Sequence, residues 1–325
     1  MARIFMDGFE TGDIYLWTTN DTSTANTTMA AGFSGTYCCF VSAGHIEKVL
    51  PSSKTELYIA FKYYTPNTYS YNSILTLKDS AGTIIASVSK PSSGFLTLRR
   101  GDAYGTLLAT GTHVVGQKAF LIEVRYKPLN SGGVVQVKLD GVLEIDYSGD
   151  TTNGLEDVQR LKMGNEPNGT YFSGYFDDFI VDDANWIGNT KLGIIVPDGT
   201  GTTNNWTASA GNAWDCLNEK PPVDTDYVYS NTTNQIATYA MTTIASMNSV
   251  KSIQLQARAA YEGSPTPTKI QLGVRASGTD YFATDLSPPV SFGMLTKILE
   301  LNPADSAAFE QADIDALEVG VKATA

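Results

Sequence analysis

The chain has 325 residues, with 22 Lys or Arg against 34 Asp or Glu and a net charge of −12. Hydrophobic residues make up 42% and charged residues only 17%, which leaves enough apolar mass for two domain cores under a surface rich in Asn, Thr, Ser and Gly. No basic stripe is present to neutralise phosphates, so nucleic acid and anionic membrane surfaces are not expected partners.

From the N-terminus, Asp7 and Glu10 interrupt the apolar start before a targeting core can form, and no later run approaches the length of a membrane span. The expectation is synthesis in a cytoplasm without a secretory leader. Tyr37 to Val41 reads as a strand, so the adjacent Cys38 and Cys39 should face opposite ways, one in a core and one more exposed. With Cys216 they make an odd count without metal-ligand spacing, which predicts free thiols.

Short β-branched or aromatic runs then follow one another: Leu57 to Tyr64, Ser73 to Lys78, Thr83 to Val88, Phe95 to Arg99 and Gly105 to Ala109. Phe120 to Lys127 alternates cleanly, with Phe120, Ile122, Val124 and Tyr126 on one face. Val134 to Leu139 and Val142 to Tyr147 flank Asp140-Gly141, a strong hairpin signal. Tyr171 to Val181 closes the series. The period of two throughout predicts an antiparallel meander.

Asp182-Asp183-Ala184-Asn185 ends that series, and the boundary is placed between residues 188 and 189. Beyond it, Leu192 to Val196 reads as a strand, Pro197-Asp198-Gly199 as a turn and Thr200 to Asn205 as a loop. Further strands are predicted at Asp226 to Ser230, Gln235 to Tyr239, Ser249 to Ala260 and Lys269 to Ala276. In the tail, Asn302-Pro303-Ala304-Asp305 has the chemistry of a helix start. Ala312 to Leu317 reads as a second short helical piece, with Ile314, Leu317 and Val321 on one face.

Sequence signals for catalysis are sparse. His45 and His113 are the only histidines and sit in no metal-binding spacing. Glu144 and Asp146 should share a strand face and resemble the start of the E-x-D-x-x-E signature of jelly-roll β-glucanases. The third acid is missing, because Gly149 stands in its place. Asp177-Asp178 and Asp182-Asp183 lack the loop that fixes a calcium site. The aromatic residues Tyr63, Tyr64, Tyr69, Tyr71, Trp186, Trp206 and Trp214 suit either cores or sugar stacking. Tyr63 and Tyr64 must split across the sheet, and 66–73 is the best loop for a binding surface.

Three stretches, Phe120 to Tyr126, Val134 to Glu144 and Gly174 to Val181, resemble the late strands of laminin-G-like (concanavalin A-like) jelly rolls. Pro197-Asp198-Gly199, the loop through Trp206, Asp224 to Ser230 and the ending Asn302 to Lys322 resemble tailed-bacteriophage virion structural proteins, with Phe309 where those usually carry Trp. The implied fold is all-β: an antiparallel jelly-roll sandwich at 1–188 and a second β-sandwich-like domain with short C-terminal helices at 189–325.

The implied role is a non-enzymatic virion structural protein, a capsid decoration or head-fibre protein on the particle surface. Its partners would be other virion proteins, above all the major capsid protein, and further copies of itself, with a trimer slightly favoured over a dimer. The alternative is a tail-associated receptor-binding module that recognises a host surface glycan. Neither reading requires a catalytic residue, a cofactor or a metal.

Overall fold

Apolar residues at every second position of Phe120–Lys127 bury one face of that strand, and the same alternation builds most of the chain. The structure, a computed structural model, describes residues 3–20, 25–29, 35–42, 44–66, 72–152, 154–155, 157–164, 173–245, 247–263 and 267–324. The chain divides into two units, Met1–Leu192 and Gly193–Ala325.

In the first unit the strands are β1 (Arg3–Asp7), β2 (Thr19–Asn20), β3 (Ala25–Met29), β4 (Tyr37–Ser42), β5 (His45–Lys54), β6 (Leu57–Tyr64), β7 (Asn72–Lys78) and β8 (Ile84–Lys90). They continue with β9 (Phe95–Arg100), β10 (Thr106–Val114), β11 (Phe120–Lys127), β12 (Gly133–Leu139), β13 (Val142–Gly149), β14 (Val158–Gly164) and β15 (Ser173–Asp182). An eight-stranded sheet runs β13-β12-β11-β6-β15-β4-β3, with β1 also paired to β15, and a seven-stranded sheet runs β10-β9-β8-β7-β14-β5-β2. This is a jelly-roll sandwich with crossovers, not the simple meander that hairpin signals suggest. Between the sheets lie Phe61, Tyr63, Ile122, Val124, Tyr126, Val137 and Phe176 from one side and Leu77, Val88, Leu98 and Leu161 from the other, all essentially inaccessible.

Asp140 and Gly141 both have positive φ, 50° and 83°, the geometry that a two-residue hairpin between right-twisted strands demands. A polypeptide strap then seals part of the outer face of the eight-stranded sheet. Trp186 lies under the Lys138 ammonium, 3.7 Å from the ring centre, and edge-on to Tyr58. Ile187 is buried, the Gly188 amide donates to Glu123 Oε1 and the Leu192 amide to Asp178 Oδ1.

In the second unit the strands are β16 (Pro197–Asn204), β17 (Thr207–Ala208), β18 (Val228–Tyr229), β19 (Ile236–Met241), β20 (Ile253–Ala259), β21 (Lys269–Ala276), β22 (Thr279–Phe282), β23 (Gly293–Leu299) and β24 (Glu318–Thr324). A five-stranded sheet runs β16-β19-β24-β21-β22, and two-stranded sheets pair β17 with β18 and β20 with β23. Trp206 and Trp214 pack against its apolar clusters around Leu272, Val274, Ala237 and Tyr239, and the Trp206 indole donates to the Gln235 carbonyl.

Several expectations need correction here. Residues 192–196 form no strand, whereas Pro197–Asn204, read as turn and loop, is β16, paired with β19, with Thr200 and Thr202 exposed and Thr203 half-buried. Asn302 to Asp305 closes a turn, not a helix: the Ser306 amide donates to the Asn302 carbonyl and the Ala304 amide to the Asn302 side chain. The α-helix described is α1 (Gln311–Ala316), opened by a Glu310–Asp313 capping box. It stops at Leu317, which turns extended so that β24 can enter the sheet between β19 and β21, which takes Val321 off any helical face. Cys38 and Cys39 do face opposite ways, yet both are fully buried, and all three cysteines are free.

Candidate functional site

Glu144 and Asp146 come apart in the structure. A register shift lies where Val137 and Lys138 face Ile145 and Leu143, which sends Glu144 toward the other sheet while Asp146 stays outward and bonds Gln136. Glu144 Oε2 accepts the Thr112 and His113 amides at 2.9 and 3.2 Å and the Thr112 hydroxyl at 3.0 Å, and Oε1 meets His113 Nδ1. Burial pushes this carboxyl up, but these bonds from Thr112 and His113 outweigh it and hold the group below the usual glutamate range. The carboxylate clasps the sandwich edge through Thr112 and His113.

The three aspartates of β15, and Asp183 just after it, are likewise committed. Asp178 pairs with Lys62 at 2.7 Å, Asp182 with Arg3 at 3.4 Å and Asp183 with Lys54 at 3.0 Å. Asp177 accepts the Asp178 amide and is 1% exposed; burial and the neighbouring Asp178 charge raise its pKa to about 8. Among the described residues no group of three His, Cys, Asp or Glu is placed to hold a metal.

The aromatic candidates divide sharply. Tyr63 is core, Trp206 and Trp214 pack in the second unit, and Trp186 belongs to the strap. Tyr69 and Tyr71, with most of the 66–73 loop, lie outside the described residues. Tyr64 is on the outer face, as the alternation requires.

Three turns that the sequence shows only singly meet at one end of the first unit and frame a cavity of about 840 Å³. One is the β7–β8 hairpin, where the Thr83 amide donates to Asp79 Oδ1 at 2.6 Å and the Gly82 amide to the Asp79 carbonyl. The second is the β9–β10 turn: the Gly101 amide donates to the Ile85 carbonyl, and the Tyr104 amide to Asp102 Oδ1. Only glycine fits at 105, where an added Cβ would lie 2.1 Å from the Arg100 carbonyl oxygen. The third is the segment after β13. Tyr126 and Thr151 pin it, the phenol donating to the Thr151 carbonyl at 2.7 Å and the Thr151 hydroxyl bonding Lys127 and Leu129.

Arg100 reaches across from the second turn to Asp150 in the third, and Asp150 Oδ1 also accepts the Thr152 amide. Hydroxyls of Thr83, Thr106 and Thr152 and the carboxylate of Asp102 complete the polar lining, and Tyr104 stands 65% exposed within the second turn. Arg99, one residue before Arg100, braces the same turn by donating to the Gly105 carbonyl at 2.8 Å. Such a lining sets donors and acceptors together, with Ile84 among the apolar contributors.

No protein family and no curated protein matches the sequence. Solved structures similar in fold include a sialidase, at 11% identity and a TM-score of 0.39, over 56% of this chain and 19% of that one. Alginate lyase Aly36B matches at 8% identity and a TM-score of 0.36, over 56% of this chain and 98% of that one. The carbohydrate-binding module CBM66 from Bacillus subtilis matches at 10% identity and a TM-score of 0.32, over 48% and 93%. The chain thus spans about a fifth of the sialidase and nearly all of the other two.

At these identities the likeness is one of fold and assigns no ligand. It does correct one expectation. A chain without enzymatic activity was anticipated from the missing third acid near Glu144, but similar folds include the sialidase and the lyase, so the loss of one motif on one strand does not exclude an enzyme.

Proposed function

We propose that the first unit binds a saccharide in the cavity framed by the three turns. The observation that carries this reading is the lining itself. Arg100 and Asp150 set a guanidinium and a carboxylate side by side, threonine hydroxyls and turn backbone surround them, and the lining is more polar than apolar. An apolar ligand would strand those groups, whereas sugar hydroxyls both donate and accept and can satisfy each in turn.

The setting proposed for this activity is a virion surface, supported by the likeness of Pro197-Asp198-Gly199, Asp224 to Ser230 and Asn302 to Lys322 to tailed-phage structural proteins. Of the two roles that likeness implies, capsid decoration on the major capsid protein and a receptor-binding module for a host glycan, the cavity favours the second. Further copies of the chain would multiply a weak single contact. Labelling the chain on intact particles for electron microscopy tests that placement.

A glycan array with the full chain tests the binding. The expected result is a bound glycan class, with affinity falling at least tenfold in both Arg100→Ala and Asp150→Ala, since each leaves its partner charge unpaired in the site. An empty array, or variants that bind as the parent does, would overturn the reading.

A further inference from the structure

The charges and donors of the cavity wall bear on which class of saccharide it would take, an inference that rests on the binding reading above. Among the described lining residues Arg100 is the cation, and Asp102 and Asp150 are the carboxylates. Arg100 is bonded to Asp150, so its charge is answered before any ligand arrives, and Asp102 leaves the wall with an excess of negative charge. Two further arginines beside these turns are held elsewhere. Arg99 donates to the Gly105 carbonyl, and Arg160 to the Ser80 carbonyl and to Glu47. With a net charge of −12, the chain as a whole also repels anions at long range.

The hydrogen-bonding capacity of the wall points the same way. The amides of Gly82, Gly101 and Gly105 donate to the carbonyls of Asp79, Ile85 and Asp102. Those of Thr83 and Thr152 donate to the carboxylates of Asp79 and Asp150, and the Thr152 hydroxyl donates to Asn130. The turns thus spend these donors on themselves, whereas Asp102 and Asp150 bring carboxylate oxygens that only accept. A carboxylate or sulfate on a ligand also only accepts. It would have to compete with Asp150 for Arg100 and would lie against Asp102. An amino sugar meets the converse conflict, its ammonium drawn to Asp102 and repelled by Arg100. A neutral sugar hydroxyl donates to the carboxylates, accepts from guanidinium or threonine, and has no charge to desolvate.

We infer that the cavity takes an uncharged, hydroxyl-rich saccharide and discriminates against acidic ones such as uronates and sialic acids.

The test is calorimetric titration of the full chain with neutral and acidic sugars matched in backbone. The pairs are methyl-esterified oligogalacturonate with its free acid, lactose with sialyllactose, and xylohexaose with its glucuronate-substituted form. In at least one pair the neutral member should bind at least tenfold tighter. Asp102→Asn keeps an oxygen for the Tyr104 amide and removes the excess charge, so it should shrink that ratio about fivefold. An acidic member that binds tighter, and loses that binding in Arg100→Ala, would overturn the choice of sugar and leave the cavity reading standing. A ratio unmoved in Asp102→Asn would overturn it too, because charge would not be the sieve. Binding of no member of any pair would likewise overturn it, while the cavity reading itself falls only if the glycan array is empty as well.

Discussion

Asp7 and Asp177 are deeply buried carboxyl groups whose burial dominates their chemistry. Asp7 accepts the Phe9 amide at 2.7 Å and the Trp17 indole at 2.8 Å, yet burial still raises its pKa to about 7. Asp177 stands at about 8 for the same first reason, with Asp178 adding repulsion. In both, the folded chain holds a proton that the unfolded chain releases near pH 3.8. Their contribution is therefore complete below that value and is withdrawn as pH rises through the window up to about 8. Glu144 works in the opposite direction, its stabilisation present above the ordinary glutamate value and lost as pH falls. Urea midpoints measured from pH 4.5 to 8 should decline more steeply in the parent than in Asp177→Asn, which has no proton to lose. Parallel curves for the two would show that Asp177 is ionised in the fold.

Among the elements, those with strict alternation were legible almost residue by residue. Phe120–Lys127 and Leu57–Tyr64 stand as read because one face of each is core and the other is not. β5 and β14 were missed because charged residues such as Glu47, Lys48, Arg160 and Lys162 break the apolar pattern; Lys78 and Arg160 pair with Glu47 on the polar side of that sheet. The cavity was legible only in pieces. The gaps between the runs ending at Lys78 and Arg99 and those starting at Thr83 and Gly105 mark two of its turns, but nothing in the sequence says that Arg100 meets Asp150 fifty residues later. The strap around Trp186 was read as a boundary and is instead a cover for Tyr58, Lys138 and Glu123. Trp186→Ala should cost about 1–3 kcal/mol of unfolding free energy through lost packing. It should also quench the strap's share of indole fluorescence change in a denaturant titration. A midpoint within experimental scatter of the parent would show that the strap merely rests on the sheet.

At the scale of the whole chain, every strand pair among the described residues lies within one unit: the jelly roll closes by 182 and the second set of sheets begins at 197. The first unit buries its own core and ends on bonds to its own sheet through Leu192. Residues 1–192 expressed alone should therefore unfold in a single cooperative transition with dispersed amide resonances. Collapsed, undispersed spectra would mean that the second unit is needed for the fold. Two sandwiches were legible from turn spacing and the acidic run near 183, because local signals punctuate a β chain well. Strand order was not, since crossovers depend on partners far away in sequence.

The pairing of β1 with β15 sets Arg3 opposite Asp182, so the start of the jelly roll's first strand and the end of its last are joined by the outermost rung of one short ladder. A load applied between those residues would open the rungs one after another like a zip, not shear them together. A pull through Arg3 and Asp182 would strip β1 at low force. One through the sheet interior would meet the whole sandwich at once.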